Sequence, residues 1–185
     1  MNPYEKLLAR KRKWTPVQTE AGAVLEGAEE TIFRALALRH MELPVGDFIT
    51  DALATEVPPL ARDLLISNVR DEENHDVALG YIANAYGVNV QAERAALALQ
   101  QAWIDHPDHT ITKAMVAERA IFFVLLPFFR AVGDSGMRTV SADISRDEQI
   151  HVACNSLVCK EMGLDISLSL DKLRKATINW VMQPL

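Results

Sequence analysis

Two six-residue words in the chain carry side chains able to do metal chemistry. Arg70-Asp71-Glu72-Glu73-Asn74-His75 and Arg146-Asp147-Glu148-Gln149-Ile150-His151 share the pattern Arg-Asp-Glu-x-x-His. In each, a Glu and a His stand three positions apart. On a helix that spacing puts a carboxylate and an imidazole on one face, a turn apart and aimed at one point. One such pair arises easily by chance. Two such helices, each joined by one further carboxylate from another helix, supply the ligands of a four-helix di-metal carboxylate site.

The repeat extends beyond the two words and suggests where the further carboxylates lie. Gly87 and Gly163 are separated by the same offset as Glu72 and Glu148, so each glycine stands equally far beyond its Glu. On the later half the choice is nearly forced, because Glu118 is the only acid between Asp108 and Asp134. Its neighbours Ala114, Met115, Ile121, Phe122 and Leu125 form an apolar stripe, where an acid is costly unless it is paired or bound to a cation. The earlier half offers Glu26, Glu29, Glu30 and Glu42. Ala28-Glu29-x-x-Ile32-Phe33 resembles Ala117-Glu118-x-x-Ile121-Phe122, which favours Glu29. Glu42 precedes Glu118 by the repeat offset, and the step from Glu42 to Glu72 equals that from Glu118 to Glu148. Glu42 is therefore preferred, and Glu29 stands as the alternative.

The expected ligand set is Glu42, Glu72, His75, Glu118, Glu148 and His151. Four carboxylates and two imidazoles balance two divalent ions, and such mixed oxygen and nitrogen donors suit iron or manganese rather than a thiolate metal. A metal-bound imidazole usually gives its other N–H to a carboxylate or carbonyl. Asp147 is expected to accept from His75, and Asp71 from His151, each across the pair.

Helical periodicity dominates and no strand pattern competes, so the expected fold is all-α: a four-helix bundle with one or two additional short helices, which with its two Glu-x-x-His words resembles the ferritin-like bundles. Helix one is expected from Glu20 to Glu42, ended by Pro44 and Gly46, with a short helix at Phe48 to Thr55 in the linker. Pro58-Pro59 opens helix two, which runs to Tyr86 before Gly87. A shorter helix covers Gln91 to Ile104. Thr110 is expected to cap helix three, which runs to about Val132. Helix four follows the turn at Gly133-Asp134-Ser135-Gly136 and runs to Met162. Residues 1–185 read as a single domain, with 1–19 a solvated N-terminal arm and 164–185 a C-terminal extra helix spanning about Ser169 to Met182. Helices one with two and three with four form two equivalent pairs.

Composition narrows the function classes. With 49% apolar and 24% charged residues the chain is globular rather than disordered. A net charge of −6 argues against nucleic acid as the main partner. The basic run Arg10-Lys11-Arg12-Lys13 reads as a solvated surface. The most apolar segment, Ala120 to Phe129, is too short to span a bilayer and contains Pro127. The charged N-terminus has no apolar leader stretch. Cys154 and Cys159 fall on different faces of one helix, so reduced thiols and a cytoplasmic location are expected. No Cys-x-x-Cys pair is present, which excludes a rubredoxin-type iron site.

On these residues the chain resembles the small subunit of class I ribonucleotide reductase. Ile144-Ser145-Arg146-Asp147-Glu148-x-x-His151 is similar to that family's last ligand helix, and Glu118-x-x-Ile121-Phe122-Phe123 to the helix before it. Glu56-Val57, Ala102-Trp103-Ile104 and Trp14-Thr15-Pro16 are weaker echoes, and the likeness covers roughly residues 14 to 163. The resemblance implies an Fe/Fe or Mn/Fe pair that activates O2 and stores an oxidant, a homodimer, an electron donor and a large-subunit partner. It also implies an electron relay through Trp14, Asp147 and His75. The chain departs from the family at Leu79, where the radical Tyr usually stands one turn after the first ligand His. It is also shorter, and the family's later helices and Tyr-bearing tail have no counterpart after Gln183-Pro184-Leu185. Two other functions fit the ligand set. One is a stand-alone oxidase or oxygenase for a small apolar substrate, its cavity lined by Leu79, Ile121, Phe122, Leu125 and Val152. The other is a ferritin-type ferroxidase. A helical protein that metal merely stabilises would leave the many acids on apolar faces unexplained.

Overall fold

A computed structural model describes residues 1–55 and 57–183; Glu56, Pro184, Leu185 and the side chain of Phe122 lie outside the described residues. Among the described residues all regular structure is helical. The helices are α1 (Pro3–Leu8), α2 (Glu29–Ala37), α3 (Glu42–Ala54), α4 (Arg62–Tyr86), α5 (Val90–Ile104), α6 (Thr110–Ala120), α7 (Leu126–Val132), α8 (Ser135–Glu161) and α9 (Leu168–Val181). Helices α3, α4, α6 and α8 close a ring in which each packs against two of the others. Around it, α9 lies on α2, α5 and α6, and α1 lies against α4 and α8. The additions thus outnumber the one or two expected.

The two long helices end as their sequence requires. Gly87 and Gly163 stop α4 and α8 with left-handed backbone, φ +100° and +66°, a region that glycine enters without the Cβ penalty. Helix α8 starts on Asp134, whose carboxylate accepts from the Met137 and Gly22 N–H groups at 2.8 and 2.9 Å. Helix α6 is capped by His109 and not by Thr110: the His109 Nδ1 accepts from the Ile111 N–H at 3.2 Å. A deprotonated ring nitrogen acts here as the hydroxyl or carboxylate oxygen of an ordinary cap does.

Helix one differs most from expectation. Residues 20–28 are not helical, and Gly27 sits at φ +80°. The helix starts at Glu29, tightens to a 3-10 turn over Leu38–Met41, and continues as α3 straight through Pro44 and Gly46. Proline inside a helix strands the carbonyl four residues back. That carbonyl belongs to His40, and the Gln100 side-chain amide of α5 donates to it. Arg39 adds two bonds to Glu93 of α5, at 2.6 and 2.9 Å, and His40 lies 2.6 Å from the same carboxylate. Gly46 faces Glu72 of α4, where a Cβ would meet the Glu72 Cβ at 3.5 Å, an ordinary contact. Neither residue ends the helix, and the short helix expected at Phe48 is the continuation of α3.

Helix three is interrupted too. Ile121–Leu125 forms a π turn between α6 and α7, in which the Leu126 N–H reaches back to the Ile121 carbonyl. The widened turn sits next to Pro127, which cannot donate to a regular ladder. Trp103 of α5 is buried, and its indole N–H donates to the Thr177 hydroxyl of α9 at 3.0 Å.

Two glycines should respond oppositely to alanine. A Cβ on Gly133 would lie 2.5 Å from the Phe129 carbonyl oxygen and 2.7 Å from the Met137 Cβ. Gly133→Ala should lower stability by about 1–3 kcal/mol. Gly80 lies within α4, and a Cβ there would meet nothing within 4 Å, so Gly80→Ala should add about 0.5–1 kcal/mol. Thermal melts of the two variants check both signs.

Candidate metal centre

The ring of helices converges its six chemistry-bearing side chains on one sealed point. Glu42 comes from the first turn of α3, Glu72 and His75 from α4, Glu118 from α6, and Glu148 and His151 from α8. All six are at most 1% exposed. Their donor atoms form two overlapping groups: Glu42, Glu72, His75 and Glu148, and Glu72, Glu118 and His151, each within 4.8 Å. Glu72 belongs to both. The His75 Nδ1 lies 3.6 Å from Glu42, 3.6 Å from Glu72 and 3.3 Å from Glu148. The His151 Nδ1 lies 2.8 Å from Glu72, 3.6 Å from Glu118 and 3.9 Å from Glu148.

Glu29, the alternative acid, is exposed at the start of α2, outside the cluster. The reason is the break at residues 20–28, which moves the start of the helix and leaves its buried face to Ile32 and Leu36. The repeat offset points to the acid that stands in the cluster, and the local likeness around Glu29 to one that does not.

The other ring nitrogen of each His turns outward to an Asp of the opposite word. His75 Nε2 lies 3.3 Å from Asp147, and His151 Nε2 lies 2.9 Å from Asp71. With Nε2 as the N–H, each Nδ1 can offer a lone pair to a cation held between it and the carboxylates, once that nitrogen has given up its proton. Arg70 and Arg146 point to solvent, and Arg146 pairs with Asp143 rather than Asp147.

Two residues from the N-terminal arm complete this outer layer. The Trp14 indole N–H donates to Asp147 at 2.6 Å, and its ring stacks on His75 with centroids 6.2 Å apart. Lys11 pairs with Asp71, its Nζ 3.4 Å from the His151 Nε2. The arm is thus not wholly solvated, although Arg10, Arg12 and Lys13 are exposed. It holds α1, whose Tyr4 hydroxyl donates to Glu161 at 3.0 Å, and it lies over the gap between α4 and α8.

Asn155 is a site residue that the sequence reading overlooks. Its amide donates to the Glu118 Oε2 at 2.7 Å from a position one turn beyond His151. It is the counterpart of Leu79 under the repeat offset, so the repeat could have flagged it. Leu79 itself is buried.

The donor set could hold metal. Both oxygens of Glu72 and Glu148, the Glu118 Oε1 and both Nδ1 atoms are buried without a hydrogen-bond partner. Unpaired polar atoms at this density are a large cost in a close-packed core unless a bound charge meets them. The titration behaviour agrees. Burial pushes the Glu42 and Glu118 carboxyls up to about 8, against the pull of His75 and His151. Burial raises Glu148 as well. At Glu72 burial acts the same way but is outweighed, chiefly by His151, so this carboxyl falls well below the usual range. Burial would lower both imidazoles, yet the surrounding carboxylates hold both well above their ordinary range. Protons and cations would compete for the same donors.

Two outcomes follow. Divalent-ion affinity should rise with pH, because His75, His151, Glu42 and Glu118 must give up protons first. Between pH 6 and 8 the gain should be about tenfold or more, read by titration together with the protons released. Glu118→Ala and His151→Ala should each lower the metal content of the purified protein, and Glu29→Ala should leave it unchanged, measured by elemental analysis.

Compared with protein-family models, curated proteins and solved structures, the chain matches none of them. The role of this centre therefore rests on its own residues and geometry.

Proposed function

We propose that the chain is a ferritin-like di-metal carboxylate oxidoreductase that activates O2 at an Fe/Fe or Mn/Fe pair, resembling the small subunit of class I ribonucleotide reductase. The observation that carries this reading is the sealed set of six donors from four helices, with its partnerless oxygens and Nδ1 atoms. Glu42, Glu72, His75 and Glu148 would hold one ion, and Glu72, Glu118 and His151 the other. The bound pair would supply the reduction of O2, chemistry that side chains alone do not offer. The packed helices keep bulk water from the donors. Asp147 and Asp71 fix the ring orientation and tautomer of the two imidazoles. Trp14, Asp147 and His75 form a continuous hydrogen-bonded line from the half-buried indole inward, which suits passage of an electron between the site and a donor or partner. On this reading the protein works as a homodimer, takes electrons from a reductant and hands oxidising power to a large subunit.

A second reading keeps the metal chemistry and changes the substrate. An apolar pocket is lined among others by Leu38, Met41, Ala117, Ile121, Val124 and Leu125, with none of the six donors in its wall. In sequence, Leu38 lies one turn before Glu42 and Ile121 about one turn after Glu118. Leu79 and Val152, expected to line such a cavity, do not line this one, and α9 supplies part of its wall instead. Its free volume of about 20 Å³ holds roughly one water-sized molecule, so the substrate of a stand-alone oxidase would have to widen it. No helix of the described residues is long and apolar enough to cross a membrane.

The Fe(II)-loaded protein, made without O2, should develop a near-ultraviolet absorption band on exposure to O2. Trp14→Phe should keep the metal content and slow reductant-driven recovery of the reduced form several-fold. Deoxynucleotide formation with a large subunit would establish the reductase role. A band with no such activity favours the stand-alone oxidase. A cage-sized particle with a mineral core would favour a ferroxidase, and absence of bound metal would defeat the proposal.

A further inference from the structure

The two imidazoles of the centre are backed differently. Behind His75 stands Asp147, whose partner is the neutral indole of Trp14 at 2.6 Å. Behind His151 stands Asp71, whose partner is Lys11, a side chain only 10% exposed with its ammonium nitrogen 3.4 Å from the outer ring nitrogen. The repeat makes the two words alike, and the arm makes their surroundings unlike.

Building on the di-metal reading above, we propose that Lys11 makes the two cation positions unequal, so that the His75 side fills first and the His151 side holds its ion less tightly. The argument is electrostatic. Asp147 keeps its full negative charge behind His75 and adds to the field that holds a cation there. Asp71 is neutralised by Lys11, so the His151 side lacks that contribution. Two further features act in the same direction. The His75 group offers four donor residues and the His151 group three. One oxygen of Glu118 is already engaged by the Asn155 amide. Lys11 touches no donor atom that faces a cation; it is a positioning residue acting through Asp71 and the outer nitrogen of His151. A centre built this way can take two different ions in a fixed order, because its positions already differ before any ion arrives.

Mn(II) titration of the purified full chain without O2, followed by electron paramagnetic resonance of the free ion, reads the two constants directly. The native chain should bind two ions with clearly separated affinities. Lys11→Met should tighten the second constant by about tenfold and leave the first unchanged, narrowing the gap. Lys11→Arg should preserve the native gap, and Asp71→Asn, which leaves the ammonium group uncompensated, should widen it. Lys11→Gln serves the same purpose as Lys11→Met if the latter fails to fold by circular dichroism. Two bound ions with a gap that neither neutral variant alters, or a second ion that loosens on removal of Lys11, would overturn this proposal alone. A native chain that binds no Mn(II) or Fe(II) would overturn it together with the di-metal reading.

Discussion

Charge compensation in a sealed core governs this molecule. Four carboxylates and two imidazoles meet where water does not reach, and each isolated buried ion costs several kcal/mol. The chain reduces that cost in two layers. Inside, carboxylates and imidazoles face one another, which offsets part of the burial that pushes the Glu42 and Glu118 carboxyls up to about 8. Outside, Asp71 and Asp147 receive the outer ring nitrogens, and Lys11 and Trp14 receive the Asp residues in turn. Every element of the bundle contributes to one of these layers or supports an element that does.

The helices divide the work according to their regularity. The Glu-x-x-His pairs need an unbroken 3.6-residue period, and they sit on the two longest helices, α4 and α8. The lone carboxylates sit beside irregularities. Glu42 opens α3 just after a 3-10 turn, and Glu118 stands three positions before a π turn. A single carboxylate needs only one direction, so its helix is free to bend nearby. The bend before Glu42 is secured from α5 by Gln100 and Glu93, and the π turn lies beside the apolar pocket. Two irregular and two regular helices thus meet at one centre.

Much of this is legible in the sequence, for a physical reason: an internal repeat carries geometry. One constant offset aligns both Glu-His words, both terminal glycines and the two lone acids, and it favours Glu42 over a locally similar Glu29. The crosswise pairing of Asp71 and Asp147 follows from what a ligating imidazole requires. What escapes is whatever depends on contacts outside the repeat. Pro44 and Gly46 read as stop signals because the Gln100 amide that rescues the His40 carbonyl is 60 residues away. Lys11 reads as solvated because a basic run is normally surface, and nothing local distinguishes it from Arg12 or Lys13. Asn155 sits in plain view of the repeat, opposite Leu79, but an amide next to apolar residues carries little signal by itself.

The arm also has a bearing on the order of assembly. Lys11 and Trp14 precede their partners Asp71 and Asp147 by 60 and 133 residues. During synthesis they leave the ribosome long before the surfaces they clasp exist, and Trp14 lacks its Asp147 partner until about half of α8 has been made. Closing such long loops is slow compared with winding a helix. The residues translated early are therefore among the last to settle, as a latch drawn across a bundle already gathered.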